Sequence, residues 1–116
     1  MSFLKNALTG HVIATRVDRA DSFLHRALGL LARPRIRPDE GLWIENCSAI
    51  HTLGMRSSID VIFIDGDRRV VRVAPRIAPF CIVLTCRKAR SVIELGAGAL
   101  ELSEVLVGDL LELVGA

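Results

Sequence analysis

The chain has 116 residues, of which 51% are hydrophobic and 24% charged, a composition that excludes a disordered polymer and a purely membrane-embedded chain. The 15 basic residues are nearly balanced by 13 acidic ones, so the net charge of +2 does not indicate a nucleic-acid-binding protein. Uncharged stretches such as residues 77–86 fall far short of the roughly 18 apolar residues of a membrane span, and the first residues lack the apolar segment of a secretory signal. We therefore expect a single cytoplasmic domain over residues 1–116 with no membrane span.

The first part of the chain predicts a strand, a helix and a loop. "HVIATRV" (11–17) contains β-branched residues in partial alternation, which favours a strand, and Asp18 suits the N-terminus of a following helix. Apolar side chains recur at helical spacing through residues 19–31. Residues 32–41 hold two prolines, three arginines and a glycine, which predicts an exposed loop. "LWIE" (42–45) then begins a strand.

A loop rich in polar side chains (46–58) precedes the most apolar run of the chain, "IDVIFID" (59–65). Its apolar residues point to both faces, which predicts an internal strand buried on both sides. Asp65 and Gly66 predict a tight hairpin that places "RRVVRVAPRI" (68–77) antiparallel to this strand.

Four shorter runs complete the chain, separated by basic residues or glycines. They are typical of strands in a sandwich or barrel, although "GALELSEVL" (98–106) also fits a helix. The runs are "FCIVLTC" (80–86), "SVIEL" (91–95), "ALELSEV" (99–105) and "DLLELV" (109–114). We predict a mainly β fold, a compact antiparallel β-sandwich of jelly-roll-like or barrel-like form, with one short helix in the N-terminal half.

Cysteine and histidine residues suggest two alternative chemistries. Three thiolates and one imidazole would make a tetrahedral zinc site, but the spacings are not those of a usual zinc knuckle, and reduced core thiols are the simpler interpretation. That zinc set is Cys47, His51, Cys81 and Cys86. Cys47 and His51 also suit a nucleophile and base with Asp60 as the orienting group, although no oxyanion loop surrounds Cys47. We expect no catalytic residue and no cofactor, and keep a hydrolase or zinc-binding protein as an alternative.

The polar loop and the end of the preceding strand predict a binding face. Arg56 lies four residues before Asp60, so a charge-assisted pair would fix the loop to the strand end. Without such a pair Asp60 must accept backbone N–H groups, since burying a lone carboxylate costs several kcal/mol. The candidate ligand contacts are Trp43, His51, Thr52, Met55, Arg56 and Asp60. The expected partner is a small ligand or a protein, and the expected assembly a monomer or a homodimer.

Arginines cluster in two parts of the chain, and nucleic-acid binding through them is a second alternative. One tryptophan and no tyrosine leave few aromatic side chains for base stacking, and arginines on an edge strand also discourage sheet aggregation. We therefore do not expect a nucleic-acid partner. The two clusters are Arg33, Arg35 and Arg37 in the proline-bounded loop, and Arg68, Arg69, Arg72 and Arg76 around one predicted strand.

Five segments occur in the order of a known family: "ALGLL" (27–31), "GLWI" (41–44), "IHTLGMRSSIDVIFID" (50–65), "VIELGAG" (92–98) and "GDLLEL" (108–113). From about residue 11 to residue 114 the chain resembles the uncharacterised family called domain of unknown function 192, and its loop is similar to a branch with His-Thr-Phe-Gly-Met-Arg-Phe-Pro. Here Leu53 replaces the aromatic residue and Ser57-Ser58 replace Phe-Pro, which predicts a less rigid loop. The resemblance implies a compact β-rich sandwich or jelly-roll fold and no particular activity, cofactor or catalytic residue.

Overall fold

The structure is a computed structural model, and it describes residues 2–20, 36–52, 55–81 and 83–115. These residues form mainly β-strands, which confirms the predicted fold class. The strands are β1 (Ser2–Asn6), β2 (Val12–Ala20), β3 (Glu40–Glu45), β4 (Ala49–Ile50), β5 (Ile59–Ile64), β6 (Val70–Ile77), β7 (Leu84–Thr85), β8 (Ser91–Gly96) and β9 (Leu111–Gly115), and one short helix, α1, spans Ala99–Ser103. The helix predicted over residues 19–31 lies outside the described residues except at its first two positions.

Seven strands make one large sheet in the order β6-β5-β8-β3-β2-β1-β9. Its two outermost strands meet where Arg69 and Leu110 form a β-bridge, and the Val70 N–H donates to the Asp109 carbonyl at 2.8 Å. The sheet is thus joined into a barrel-like form, one of the predicted architectures. It departs from a purely antiparallel arrangement because β2 and β3 pair in parallel, and residues 21–39 supply the long connection that a parallel pair requires.

Two apolar cores lie on opposite faces of this sheet, and β5 contributes to both of them. All six residues of β5 are buried, as predicted. Ile62 and Ile64 belong to the core inside the barrel, whereas Ile59, Val61 and Phe63 belong to a core on its outer face. Because successive side chains of a strand point to opposite faces, a strand between two cores is apolar on both sides, and Asp60 is the one polar residue of β5.

A second, two-stranded sheet covers part of the outer core. β4 pairs with β7 in antiparallel register, Ala49 with Thr85 and Ile50 with Leu84. Ile50 is buried in the outer core, and Leu84 packs against it. The predicted strand over residues 80–86 is therefore wrong for most of its described length, since only Leu84 and Thr85 are in a strand.

Several boundaries differ from the sequence prediction for identifiable reasons. Asp18 does not begin a helix, because β2 continues through Ala20 in register with β3, with Asp18 opposite Leu42. Residues 99–103 are helical, the alternative that the sequence left open, with Ala99 and Leu100 buried. β1 was not predicted. Within the described residues, the structure has no helix with the length and apolar character that crossing a bilayer requires.

The hairpin predicted at Asp65-Gly66 is confirmed, with β5 and β6 antiparallel. The Asp65 carboxylate shapes this turn by accepting the N–H groups of Asp67 at 2.8 Å and Arg69 at 3.0 Å. Asp in turns commonly bonds to the backbone two residues further on, which is why the local sequence was sufficient here.

Candidate functional site

Thr52 fixes the polar loop to the segment that follows β6. Its side chain is fully buried; the hydroxyl donates to the Ala78 carbonyl at 2.6 Å and accepts the Cys81 N–H at 2.8 Å. The Thr52 carbonyl accepts the N–H of Phe80 at 3.0 Å and that of Met55 at 3.1 Å. These bonds occupy the polar groups that the sequence proposed for a ligand. Thr52 thus fixes the course of the loop, and its polar groups are not available to a ligand.

Asp60 is the second organising residue, and it acts through the backbone. It is 1% exposed and accepts three N–H groups, from Arg76 at 2.8 Å, from Leu100 at 2.8 Å and from Gly98 at 3.2 Å. The predicted pair with Arg56 is wrong, because Arg56 is exposed and makes no ion pair with this carboxylate. Three donors satisfy the buried charge without a cation.

The two apolar candidates lie on opposite faces of the sheet. Trp43 is in the core inside the barrel, and Met55 is in the core on the outer face. Both side chains are buried, so the predicted pair of apolar ligand contacts is not brought together. His51 is half-buried and Arg56 exposed, which leaves these two of the six candidates with substantial access to solvent.

The thiols do not converge. Cys47 donates its S–H to the Ala49 carbonyl at 3.0 Å, and Cys81 to the Val83 carbonyl at 3.7 Å. No three His, Cys, Asp or Glu side chains of the described ranges are placed to hold one metal ion. Cys47, His51, Cys81 and Cys86, the alternative zinc set, are all described and do not form such a group.

An open cavity of about 490 Å³ lies beside the end of the polar loop. Three segments that are distant in sequence form its wall with the loop: the residues before β3, the end of β6 and the turn after β8. The lining residues are Ile36, Arg37, Pro38, Ser57, Ser58, Arg76 and Ala97. None of the six candidate ligand contacts lines this cavity; the described part of the polar loop contributes only its last two residues, Ser57 and Ser58.

Gly96 places the first wall of this cavity. A Cβ atom at Gly96 would overlap the carbonyl groups of Arg37 and Ile36, so the chain before β3 crosses β8 at a distance that only glycine allows. The sequence showed this glycine as a turn residue. Its packing role became visible only with the crossing segment in place.

Two arginines line the cavity, and the guanidinium group of each contacts one carboxylate. Arg37 Nε lies 3.2 Å from Asp39 Oδ1, and Arg76 Nη2 lies 3.2 Å from Glu101 Oε1. Ser57 Oγ is buried and makes no hydrogen bond to any described residue. In the sequence these arginines belong to two separate basic clusters, and no local pattern indicates that they line one cavity.

These features define a small mainly β protein of barrel-like form, with an open polar cavity at one end of its sheet. The chain belongs to the DUF192 family of uncharacterized ACR proteins, whose model matches residues 4–113. The resemblance inferred from the sequence motifs is thereby confirmed.

Curated relatives cover nearly the whole chain. A UPF0127 protein of Pyrococcus furiosus is 36% identical over 110 residues, which are 92% of this chain and 94% of the relative. A UPF0127 protein of Pyrococcus horikoshii is 40% identical over 93 residues, 78% of this chain and 80% of the relative. These names assign the family and state no activity.

Two crystal structures share the fold. A Sinorhizobium meliloti protein, proposed to be a transcription regulator, superposes with a TM-score of 0.80 at 24% identity and covers 97% of this chain and 91% of its own. A Novosphingobium aromaticivorans protein of unknown function has a TM-score of 0.75 at 21% identity, with 96% and 82% covered. At these identities the similarity establishes the fold alone.

Proposed function

We propose that this protein is a non-catalytic module that binds a small ligand in the cavity beside residues 57 and 58. The cavity itself is the observation that carries the proposal: its volume of about 490 Å³ suits a small molecule, and both polar and apolar residues line it. Ile36, Pro38 and Ala97 supply apolar surface, and Ser58 a hydroxyl.

Rigid walls support this proposal. Asp60 ties the backbone of Arg76 to the turn at Gly98, and Thr52 ties the loop to residues 78–81. Gly96 sets the position of Arg37. A cavity held in shape before the ligand arrives loses less conformational entropy when it binds, which raises affinity.

The proposal is tested by filling the cavity. Ala97 is half-buried and lines it, so Ala97→Leu would occupy space that the ligand needs. Ala7→Leu is the matched control, since Ala7 is also half-buried but lies in the turn after β1, away from the cavity lining. Native mass spectrometry of freshly purified protein should show a small-molecule adduct on the wild type and on Ala7→Leu, and its loss from Ala97→Leu.

Two results would contradict the proposal. One is an adduct that survives in Ala97→Leu at the wild-type level. The other is a bare wild-type mass combined with a metabolite screen in which no compound raises the melting temperature of the wild type more than that of Ala97→Leu. Both measurements require that the variants fold, which circular dichroism checks.

The alternative functions have less support from the described contacts. Asp60 directs its hydrogen bonds to three backbone N–H groups, so it does not orient His51 toward Cys47. Arg69 donates to the Gly108 carbonyl at 3.1 Å, and Arg72 to the Thr85 carbonyl at 2.7 Å. These arginines support an architectural role for the basic strand, so neither a hydrolase nor a nucleic-acid-binding function is proposed.

A further inference from the structure

We propose that the ligand of this cavity carries an anionic group, a phosphate or a carboxylate, bound by the guanidinium groups of Arg37 and Arg76 with the hydroxyl of Ser57. This inference rests on the proposed function, because it names the chemistry of the same site. Its first support is the charge of the lining: among the described residues that line the cavity, two are cationic and none is acidic.

The three carboxylates that contact Arg37 or Arg76 do not prevent an anion from binding. Asp60 is saturated by three backbone N–H donors. Asp39 and Glu101 pair with the two arginines, but the side chains of the Arg76–Glu101 pair are 58% and 68% exposed and those of the Arg37–Asp39 pair 74% and 43% exposed. Ion pairs with this exposure contribute at most about 1 kcal/mol. An anion in the cavity therefore replaces them at little cost.

The backbone of β6 is irregular at Arg76. The β5–β6 register shifts next to Asp60, and Arg76 has a left-handed backbone, with φ of 49°. Such a conformation is unfavourable for a non-glycine residue and persists where its surroundings hold it, here through the Asp60 bond to the Arg76 N–H. Bulges commonly re-aim a side chain beside a site.

The neighbouring arginine of the same strand is used differently. Arg72 lies over the Phe63 ring, 5.8 Å from its centre, and bonds to the Thr85 carbonyl. Arg76 instead lines the cavity, and its guanidinium group contacts the exposed carboxylate of Glu101 in α1. Guanidinium groups bind carboxylate and phosphate oxygens in pairs, which a point charge does not do as well.

Ser57 supplies the remaining donor. Its Oγ is buried and has no hydrogen-bond partner within the described part of the chain. A buried polar atom without a partner is costly, and an oxygen acceptor of a bound anion would remove that cost.

The test titrates the full chain with inorganic phosphate and, in a separate arm, with succinate, at constant ionic strength set by sodium chloride. Binding is measured by calorimetry and by amide shifts of Ser57, Arg76 and Ala97. Arg37→Gln and Arg76→Gln should each raise the dissociation constant of the anion about tenfold, since a charge-assisted contact is lost. If the protein binds just one of the two anions, that result identifies the anionic group that the cavity prefers.

Two further variants separate site binding from general charge effects. Arg19→Gln removes an equally exposed ion pair, Arg19 to Glu45 at 3.3 Å, at the opposite end of β3, and should leave the dissociation constant within about twofold. Glu101→Gln removes the carboxylate that pairs with Arg76 and should lower the dissociation constant of the anion severalfold. A merely structural role for Arg76 predicts no such gain.

The failures are distinguishable. If neither anion binds the wild type, or if both arginine variants bind as the wild type does, the anion inference is wrong. Should a neutral adduct still be lost from Ala97→Leu, the proposed function would survive that failure. Anion binding that persists in Ala97→Leu would place the anion elsewhere and overturn both.

Discussion

The single residue with the widest structural reach is Asp60, a carboxylate at the start of a fully buried strand. Its two oxygens join β5 to the bulge at Arg76 and to the turn at Gly98 and Leu100. A buried charge that accepts three N–H groups substitutes for water without a counter-ion. The sequence predicted that Asp60 needs partners, but it favoured Arg56 because that residue is close in sequence. Donors that arrive from positions far along the chain leave no local signal.

Asp60→Asn tests this role because it preserves size and removes one acceptor. The amide would set an NH₂ group against at least one backbone N–H, leaving buried donors unpaired. We expect a loss of about 3 kcal/mol in the free energy of unfolding, measured by urea denaturation.

The control for this change is Asp67→Asn at the exposed tip of the β5–β6 hairpin, which should change stability by no more than about 0.5 kcal/mol. If Asp60→Asn lowers the free energy of unfolding no more than Asp67→Asn does, the three hydrogen bonds of Asp60 contribute no more to stability than hydration of the carboxylate would.

At the scale of elements, the end of β8 determines the shape of the cavity. Gly41 and Gly96 lie on neighbouring strands, and a Cβ atom at either would overlap backbone, of Glu94 or of Arg37. Gly96 is the position that admits the segment before β3, and with it Arg37 and Pro38. The segment that Gly96 admits therefore forms one wall of the cavity.

Gly96→Ala should therefore displace that wall. The clash is with backbone, which cannot rotate away, so we expect a loss of about 1–3 kcal/mol in stability. Amide chemical shifts of Arg37 and Ala97 should move as well. Gly66→Ala is the control, because a Cβ there meets only Arg90 Cγ, at 3.7 Å. Equal effects of the two substitutions would refute the wall interpretation.

Elements with local signals were predictable, and those fixed by distant pairing were not. The Asp65-Gly66 turn and the apolar β5 carry their information in adjacent residues. Two other features have no such local signal. The extension of β2 through Ala20 depends on parallel pairing with β3. Most of the described part of residues 80–86 is not a strand, because the backbone of Thr52 binds that of Phe80 and Cys81. Hydrophobic periodicity does not encode which partner captures a backbone.

At the scale of the whole molecule, the two cores account for a hydrophobic content of 51% in a chain of 116 residues, because apolar side chains are buried on both faces of the sheet. The sequence predicted a mainly β fold, yet it could not place Trp43 and Met55 on opposite faces, because they come from different strands and loops. The cavity has the same character. Its lining combines residues 36–38, 57–58, 76 and 97, which only the closed sheet brings together.

Closure of the sheet between β6 and β9 should be visible in amide hydrogen exchange. The seam between β6 and β9 is held by the Val70 N–H on the Asp109 carbonyl at 2.8 Å and the Leu111 N–H on the Arg68 carbonyl at 3.0 Å. Val70 and Leu111 are also buried in the inner core, so breaking these bonds exposes that core. Under conditions where reclosing is fast, their amide hydrogens should exchange with the free energy of global unfolding. The Leu8 N–H, bonded to the Asn6 side chain in an exposed turn, should exchange through local opening. Exchange of Val70 and Leu111 at the rate of Leu8 would mean that the sheet opens along this seam, and that the barrel-like form is not a single cooperative unit.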